Sequence, residues 1–357
     1  MDKYIKKLNF DFITNQRITK LIAAIDEYRG RWNVVEKREN RYLKELRRIA
    51  TIESIGSSTR IEGATITDEE VQQLLKDVKI TKFKTRDEQE VMGYYDVLEL
   101  VFDNYREIPL SESYMKQLHQ LLLKYSNKDE RHRGGYKQLS NKVVATYPGG
   151  QQKTIFNTTE PALVEGEMFE LIAWTNRQWI EKTIHPIIVL AVFVYEFLSI
   201  HPFQDGNGRL SRLLTTLFLL QQGYGFIQYI SFENHIEKNK SAYYETLMTT
   251  QRKRITKDDI LDNWLVFFLE SIKELTIKLD AKYNVFKQKG GYLNGRQKQI
   301  RHYIAENQPI KVSDLSAKFS EIPLSTLKKD LQYLREEKVL EIIGKGKGSV
   351  YVIKSNV

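Results

Sequence analysis

The stretch Pro186 to Ile200 is almost wholly apolar, with Ile187, Ile188, Val189, Leu190, Ala191, Val192, Phe193 and Val194 in unbroken succession. A helix that is hydrophobic around its whole circumference has no face for water and belongs at the centre of a core. A second apolar helix is expected over Leu210 to Gln222. Between the two lies a polar segment, His201-Pro202-Phe203-Gln204-Asp205-Gly206-Asn207-Gly208-Arg209-Leu210-Ser211-Arg212. The chain is thus constrained to pack its remaining helices around this pair and to carry a charged loop at their junction.

The flanking sequence supplies those helices. Residues 15–50 place Ile18, Leu21, Ile22, Ile25, Leu43, Leu46 and Ile49 at helical spacing among many charges. Thr67-Asp68-Glu69-Glu70 is a capping-box pattern that opens a helix over 67–79. Further helices are expected over 86–105, over 111–125 with Ser111 as N-cap, and over 161–181 with Pro161 at its start. Residues 142–156 break the rhythm: two runs rich in β-formers around Pro148-Gly149-Gly150 predict a hairpin. After a helix over 258–287, Gly290, Gly291 and Gly295 suggest a linker. Beyond it, helices over 296–306, 311–319 and 323–337, then Val339–Ile343 and Ser349–Ile353 around a Gly-Lys-Gly-Lys-Gly tip, match a winged helix-turn-helix. The expected organisation is mainly α: an N-terminal helical region at 1–105, a helical core at 106–287 with a β-hairpin, and a small winged-helix domain at 288–357.

Composition narrows the function. The chain has 357 residues, a net charge of +9 and no cysteine, which excludes disulfides, thiolate zinc sites and cysteine catalysis. Residues 291–357 carry twelve Lys or Arg against seven Asp or Glu, so DNA is a candidate partner of the winged-helix domain through Ser325, Thr326, Lys328 and Lys329 on its last helix and Lys345 and Lys347 on the wing. No apolar run is long enough to cross a membrane, and Met1–Lys7 has no apolar block behind its charges, so a cytoplasmic location with no membrane partner is expected. His119, His132, His185, His235 and His302 show no metal-ligand spacing and are expected to be structural or exposed.

The loop between the apolar helices concentrates the chemistry. His201 ends a rigid helix, and a histidine with pKa near 6.5 can take a proton from a hydroxyl at neutral pH. Phe203 is expected to anchor the loop in the core. Asp205 offers a hard oxygen ligand suited to Mg²⁺ shared with phosphates. Gly206, Asn207 and Gly208 open the next helix, where backbone N–H groups and the helix dipole favour an anion. Arg209 and Arg212, three apart on that helix, can clamp phosphate oxygens.

This segment resembles the signature of the Fic family, H-x-F-x-[DE]-G-N-G-R-x-x-R, at every fixed position. The resemblance implies a Fic-type helical core and a protein adenylyltransferase that moves AMP from ATP to a Ser, Thr or Tyr hydroxyl of a target protein, itself included, with release of pyrophosphate. It implies that His201 is the base, that Asp205 holds Mg²⁺ between the α- and β-phosphates, and that Gly206, Asn207 and Gly208 grip phosphates. It further implies that Arg209 and Arg212 contact the β- and γ-phosphates, that the hairpin aligns the target backbone, and that Tyr243 lines the nucleotide pocket. Relatives of this kind are often homodimers.

Upstream, Gly63 reads as a helix C-terminal cap, which leaves Glu62 at the negative end of the helix dipole, a placement that asks for a partner elsewhere. Ser58 to Gly63 resembles the Fic inhibitory motif [ST]-x-x-x-E-[GN], placing the chain with members that carry an amino-terminal inhibitory helix, here about 53–63. The resemblance implies that Glu62 pairs with Arg212 at rest. Three other readings stay open: transfer of another group, removal of AMP by the same site with Glu62 positioning a water, and a DNA-binding regulator whose Fic core senses a nucleotide.

Overall fold

The computed structural model describes residues 2–38, 40–76, 83, 85–146, 152–288, 293, 295–336, 339–344 and 346–354. It divides into two compact units, Met1–Lys278 and Leu279–Val357. The division falls inside a long helix rather than at the glycines near 290, and the regions expected at 1–105 and beyond it fold together as one unit.

The first unit is helical apart from one hairpin. Its helices are α1 (Lys3–Lys6), α2 (Phe12–Arg38), α3 (Asn40–Ile61), α4 (Asp68–Lys76), α5 (Arg86–Asn104), α6 (Glu112–Leu122), α7 (Pro161–Glu181), α8 (Pro186–Ile200), α9 (Asn207–Gln221), α10 (Phe232–Lys238), α11 (Lys240–Gln251) and most of α12 (Asp262–Gln288). The local signals act as their chemistry dictates. Thr85 and Glu88 form a reciprocal capping box for α5, the Ser111 hydroxyl accepts from the Tyr114 N–H at the start of α6, and prolines occupy the first position of α7 and α8. The helical spacing read over 15–50 falls on α2 and α3, which lie either side of residue 39; that residue, and 77–79 of the helix expected at 67–79, lie outside the described residues.

As its composition demands, α8 is buried along almost its whole length, between α7, α9 and α12. Trp264 of α12 packs against it and donates its indole N–H to the Ala191 carbonyl at 2.8 Å. The one acid on α8, Glu196, is buried and bridged by Lys7 at 2.5 Å and by Arg254 at 3.3 Å. α9 begins at Asn207, three residues before the apolar run, because Gly206 takes the left-handed N-cap conformation (φ 78°). Strands β1 (Lys142–Thr146) and β2 (Gln152–Asn157) form the antiparallel hairpin, with Val143 opposite Phe156 and a bulge before Val144. Its expected Pro-Gly-Gly turn lies outside the described residues.

The second unit holds α13 (Gly295–Asn307), β3 (Ile310–Lys311), α14 (Val312–Lys318), α15 (Leu324–Glu336), β4 (Leu340–Ile343) and β5 (Val350–Ile353). The strands form an antiparallel sheet in the order β3-β5-β4. Ile300, Ile304, Leu315, Leu327, Leu331 and Leu334 make its core. β3 went unseen in the sequence, since two residues are too few to show alternation. No helix is long and apolar enough to cross a membrane among the described residues.

The α8–α12 contact yields a direct test. Trp264→Ala removes a fully buried indole and its hydrogen bond, and the expected cost is about 3–5 kcal/mol, read as a lowered denaturation midpoint of the purified chain.

Candidate active site

α8 ends on His201, whose backbone is left-handed (φ 53°, ψ 61°) and whose N–H caps the Phe197 carbonyl. The ring lines a cavity of about 240 Å³ together with Glu62, Asn141, Lys142, Val143, Phe156, Gln204, Asp205, Gly206, Asn207, Gly208, Arg212, Tyr243 and Tyr244. His201 Nδ1 donates to the Leu198 carbonyl at 3.3 Å, which leaves Nε2 as the unprotonated nitrogen. Burial pushes its pKa down from 6.5 to about 4. The neutral form therefore prevails well below neutral pH, further than the ordinary histidine assumed from sequence.

The loop is braced from several sides. The Asn207 carboxamide accepts from the Phe203 N–H at 2.9 Å and donates to the Phe203 carbonyl at 2.7 Å. These bonds use the carboxamide oxygen and one of its two N–H donors on the loop. Phe203 is fully buried and stacks on His119, with ring centroids 3.8 Å apart. His119 Nδ1 accepts from the Gly134 N–H at 2.8 Å, so Nε2 carries the proton that bonds the Asp205 carbonyl at 2.9 Å. Lys137 donates to Thr158 at 2.7 Å and to the Ile200 carbonyl at 3.1 Å, tying the base of the hairpin to the end of α8. Burial lowers the pKa of this ammonium to about 8.

Asp205 is held as an anion. Burial raises its pKa, but Arg209, the Gly206 N–H at 2.6 Å and Lys128 at 3.3 Å outweigh burial and bring it to about 2. Arg209 is the counter-ion here. Its guanidinium is 1% exposed, lies 3.4 Å from Asp205 and 3.2 Å from Glu90, and does not line the cavity. The sequence expects Arg209 and Arg212 to clamp phosphates as a pair; in the structure the buried Glu90 and the half-buried Asp205 flank the first, while Arg212 lines the cavity.

Arg212 is claimed differently. It donates to Glu62 Oε1 at 2.7 Å, to the Ser58 hydroxyl at 2.9 Å and to the Ser58 carbonyl at 3.0 Å. Burial works against its charge, yet Glu62 together with Tyr94 and Tyr243 outweighs burial and raises its pKa. Glu62 follows directly on α3, and Gly63 continues the turn at φ 107°. The carboxylate lies against the amino end of α9 so closely that a Cβ at Gly208 would stand 2.3 Å from Oε1. A side chain at position 208 would displace this carboxylate. A carboxylate at a helix amino terminus meets free N–H groups and the positive end of the dipole. This answers the sequence puzzle of an acid at the wrong end of α3.

Tyr243 is buried in the cavity wall beside Tyr244, with its hydroxyl pKa raised by burial. His119, Lys137, Gln204 and Asn141 belong to the site or its frame and were not singled out from sequence. Each is an ordinary residue in an unremarkable local pattern, and only the fold brings it to the loop. His132 bonds Asp129, His185 bonds Asp26, and His302 is exposed, as expected of non-catalytic histidines.

Three histidines, His119, His201 and His235, have pKa values pushed down to about 4 by desolvation. The unfolded chain binds protons on them below about 6.5 while the folded chain does not, so stability falls as pH drops from 6.5 toward 4. His119→Gln is expected to remove about one third of that slope, measured as the denaturant midpoint from pH 7 to pH 4.5; an unchanged slope contradicts the assignment.

Residues 109–219 match the Fic/DOC family profile. A protein adenylyltransferase, fic-1, of Caenorhabditis elegans is 24% identical over 241 residues, 62% of this chain and 44% of that protein. A Fido domain-containing protein of Dictyostelium discoideum is 38% identical over 89 residues, 24% of this chain and 62% of that one. The chain spans less than half the length of the curated adenylyltransferases it matches. Its fold resembles that of a Fic family protein from Desulfovibrio desulfuricans G20, with a TM-score of 0.67, 22% identity and 98% of each chain covered. It also resembles a Fic domain-containing signaling protein of Bacteroides thetaiotaomicron, with a TM-score of 0.58, 24% identity, and 73% of this chain and 97% of that one covered. The His201–Arg212 loop, seated between α8 and α9, falls within the residues 109–219 that match the Fic/DOC family profile.

Proposed function

We propose that this chain is a protein adenylyltransferase that rests in an inhibited state. The observation that carries the reading is the pairing, in one cavity, of an unprotonated His201 Nε2 with a helix amino terminus suited to phosphates. A target Ser, Thr or Tyr hydroxyl gives its proton to Nε2 while its oxygen bonds the α-phosphorus of ATP. The bond from that phosphorus to the bridging oxygen breaks, and pyrophosphate leaves. Such a transfer is mainly a matter of position and charge neutralisation, and the chain needs no nucleophile of its own.

In this reading the N–H groups of Gly208 and its neighbours bind phosphate oxygens, Arg212 meets the γ-phosphate, and Arg209 holds Asp205 in place. Asp205, ionised and reached by the cavity, fits Mg²⁺ shared with phosphates, which needs only one or two protein carboxylates. When bound, the ion neutralises phosphate charge. No group of three His, Cys, Asp or Glu side chains offers a complete protein cage among the described residues. Tyr243 flanks the nucleotide, and the hairpin, whose Val143 and Phe156 line the cavity, gives a target segment a strand edge to follow.

Glu62 is the brake. It holds Arg212 and occupies the anion site at the start of α9, so the γ-phosphate meets a carboxylate where it needs a cation. Because Glu62 lines the same cavity as His201, it can also position a water for the reverse removal of AMP. The second unit is assigned as a winged helix-turn-helix that binds DNA. Ser325, Lys328 and Lys329 are exposed on α15, where a recognition helix carries its contacts. Lys345 and the Lys347 side chain lie outside the described residues.

His201→Ala tests the core of the proposal. It is expected to lower AMP incorporation by about 100-fold or more while leaving ATP affinity within about threefold. Transfer at the wild-type rate overturns the role of the base. With His201 neutral above about pH 4, the rate should also show no break near 6.5; a break there places an ordinary histidine in the rate.

A further inference from the structure

The last turn of α3 sends three consecutive residues to three different helices. Glu62 reaches Arg212 of α9, and this contact alone belongs to the cavity. The Ile61 carbonyl accepts from Lys240 Nζ at 2.7 Å, at the first residue of α11. Arg60 forks onto both oxygens of Glu237 on α10, at 2.7 Å and 3.0 Å, and its other arm reaches Asp68 at 2.9 Å and the Ile66 carbonyl at 3.0 Å. None of Arg60, Glu237 and Lys240 lines the cavity.

The physics of these ties is specific. A helix end leaves carbonyls without partners, and an ammonium there satisfies one and neutralises the negative end of the dipole. Lys240 does this while also lying close enough to Glu62 and Arg212 to feel both charges; burial lowers its pKa and Glu62 works the other way. A bidentate guanidinium–carboxylate pair fixes direction as well as distance. Arg60 and Glu237 thereby set the angle at which α3 leaves its last turn. Glu62 Oε1 must reach the Arg212 guanidinium at 2.7 Å while lying against Gly208, so an error in that angle lengthens this contact.

We propose that Lys240, with the Arg60–Glu237 pair, is a positioning residue of the brake: it holds the end of α3 so that Glu62 meets Arg212, and its loss releases Glu62 without altering the catalytic loop. This inference rests on the reading of Glu62 as a brake. The corner between α10 and α11, only partly buried, is then the place from which the brake is set.

The test is a double-mutant cycle with a structural readout. Lys240→Gln is expected to raise AMP incorporation about tenfold in the otherwise wild-type chain, the factor matching one lost charge-assisted hydrogen bond. In the Glu62→Gly background the same change should alter the rate by less than about twofold, and Lys240→Arg should restore inhibition. No rise in the wild-type background while Glu62→Gly is active overturns the proposal, as does an equal change in both backgrounds. If Glu62→Gly itself transfers no AMP, the adenylyltransferase reading fails separately, and amide hydrogen exchange over residues 55–63 decides the anchoring. Faster exchange in Lys240→Gln supports it and unchanged exchange overturns it. Arg60→Gln, on the other tie, is the second variant and should behave alike.

Discussion

The buried contact between Glu62 and Arg212 organises this molecule. Arg212 is almost fully enclosed and Glu62 only partly so, which makes the arginine the costly member. A buried guanidinium needs a counter-charge and filled donors, and here the end of α3 supplies both, through one carboxylate and the Ser58 hydroxyl and carbonyl. The same carboxylate lies at the amino end of α9, a position that favours any anion. One acid therefore does electrostatically what phosphate oxygens would do there. In the proposed reading the two compete for Arg212 and for the amino end of α9, beside which Glu62 lies next to Gly208.

That competition depends on a rigid frame. α8 and α9 are buried nearly throughout, and the loop joining them is held by Asn207 to Phe203, by Phe203 stacked on His119, and by Lys137 at the hairpin base. His119 and Lys137 bring hydrogen bonds from distant parts of the chain to the Asp205 and Ile200 carbonyls on either side of the loop. The site is consequently preorganised in the sense that matters for charge transfer, with His201, Asp205 and the first turn of α9 fixed before any ligand arrives.

Much of this was legible in the sequence, for identifiable reasons. The unbroken apolar run of α8 could be read as a central helix since no amphipathic alternative exists for it. Ser111, Pro161 and Pro186 marked helix starts because capping chemistry is local. Glu62 was noticed because its position opposed its own helix dipole. What the sequence withheld is equally physical. Arg209 and Arg212 share one helical spacing, yet Glu90 claims the first and Glu62 the second, and spacing on one helix carries no information about neighbours on another. The histidine pKa depends on burial depth. β3 is two residues long, and the ties of Arg60 and Lys240 span 177 and 179 positions.

The central claim is that an intact transfer site is held off by one carboxylate. Incubating the wild-type chain and Glu62→Gly with ATP labelled at either the α- or the γ-phosphate, and counting label retained on protein, measures it directly. The account predicts strong retention of the α-label by protein with Glu62→Gly, weak retention with the wild type, and no γ-label on protein in either case. Retention of the γ-label, or equal α-label with both chains, would contradict it.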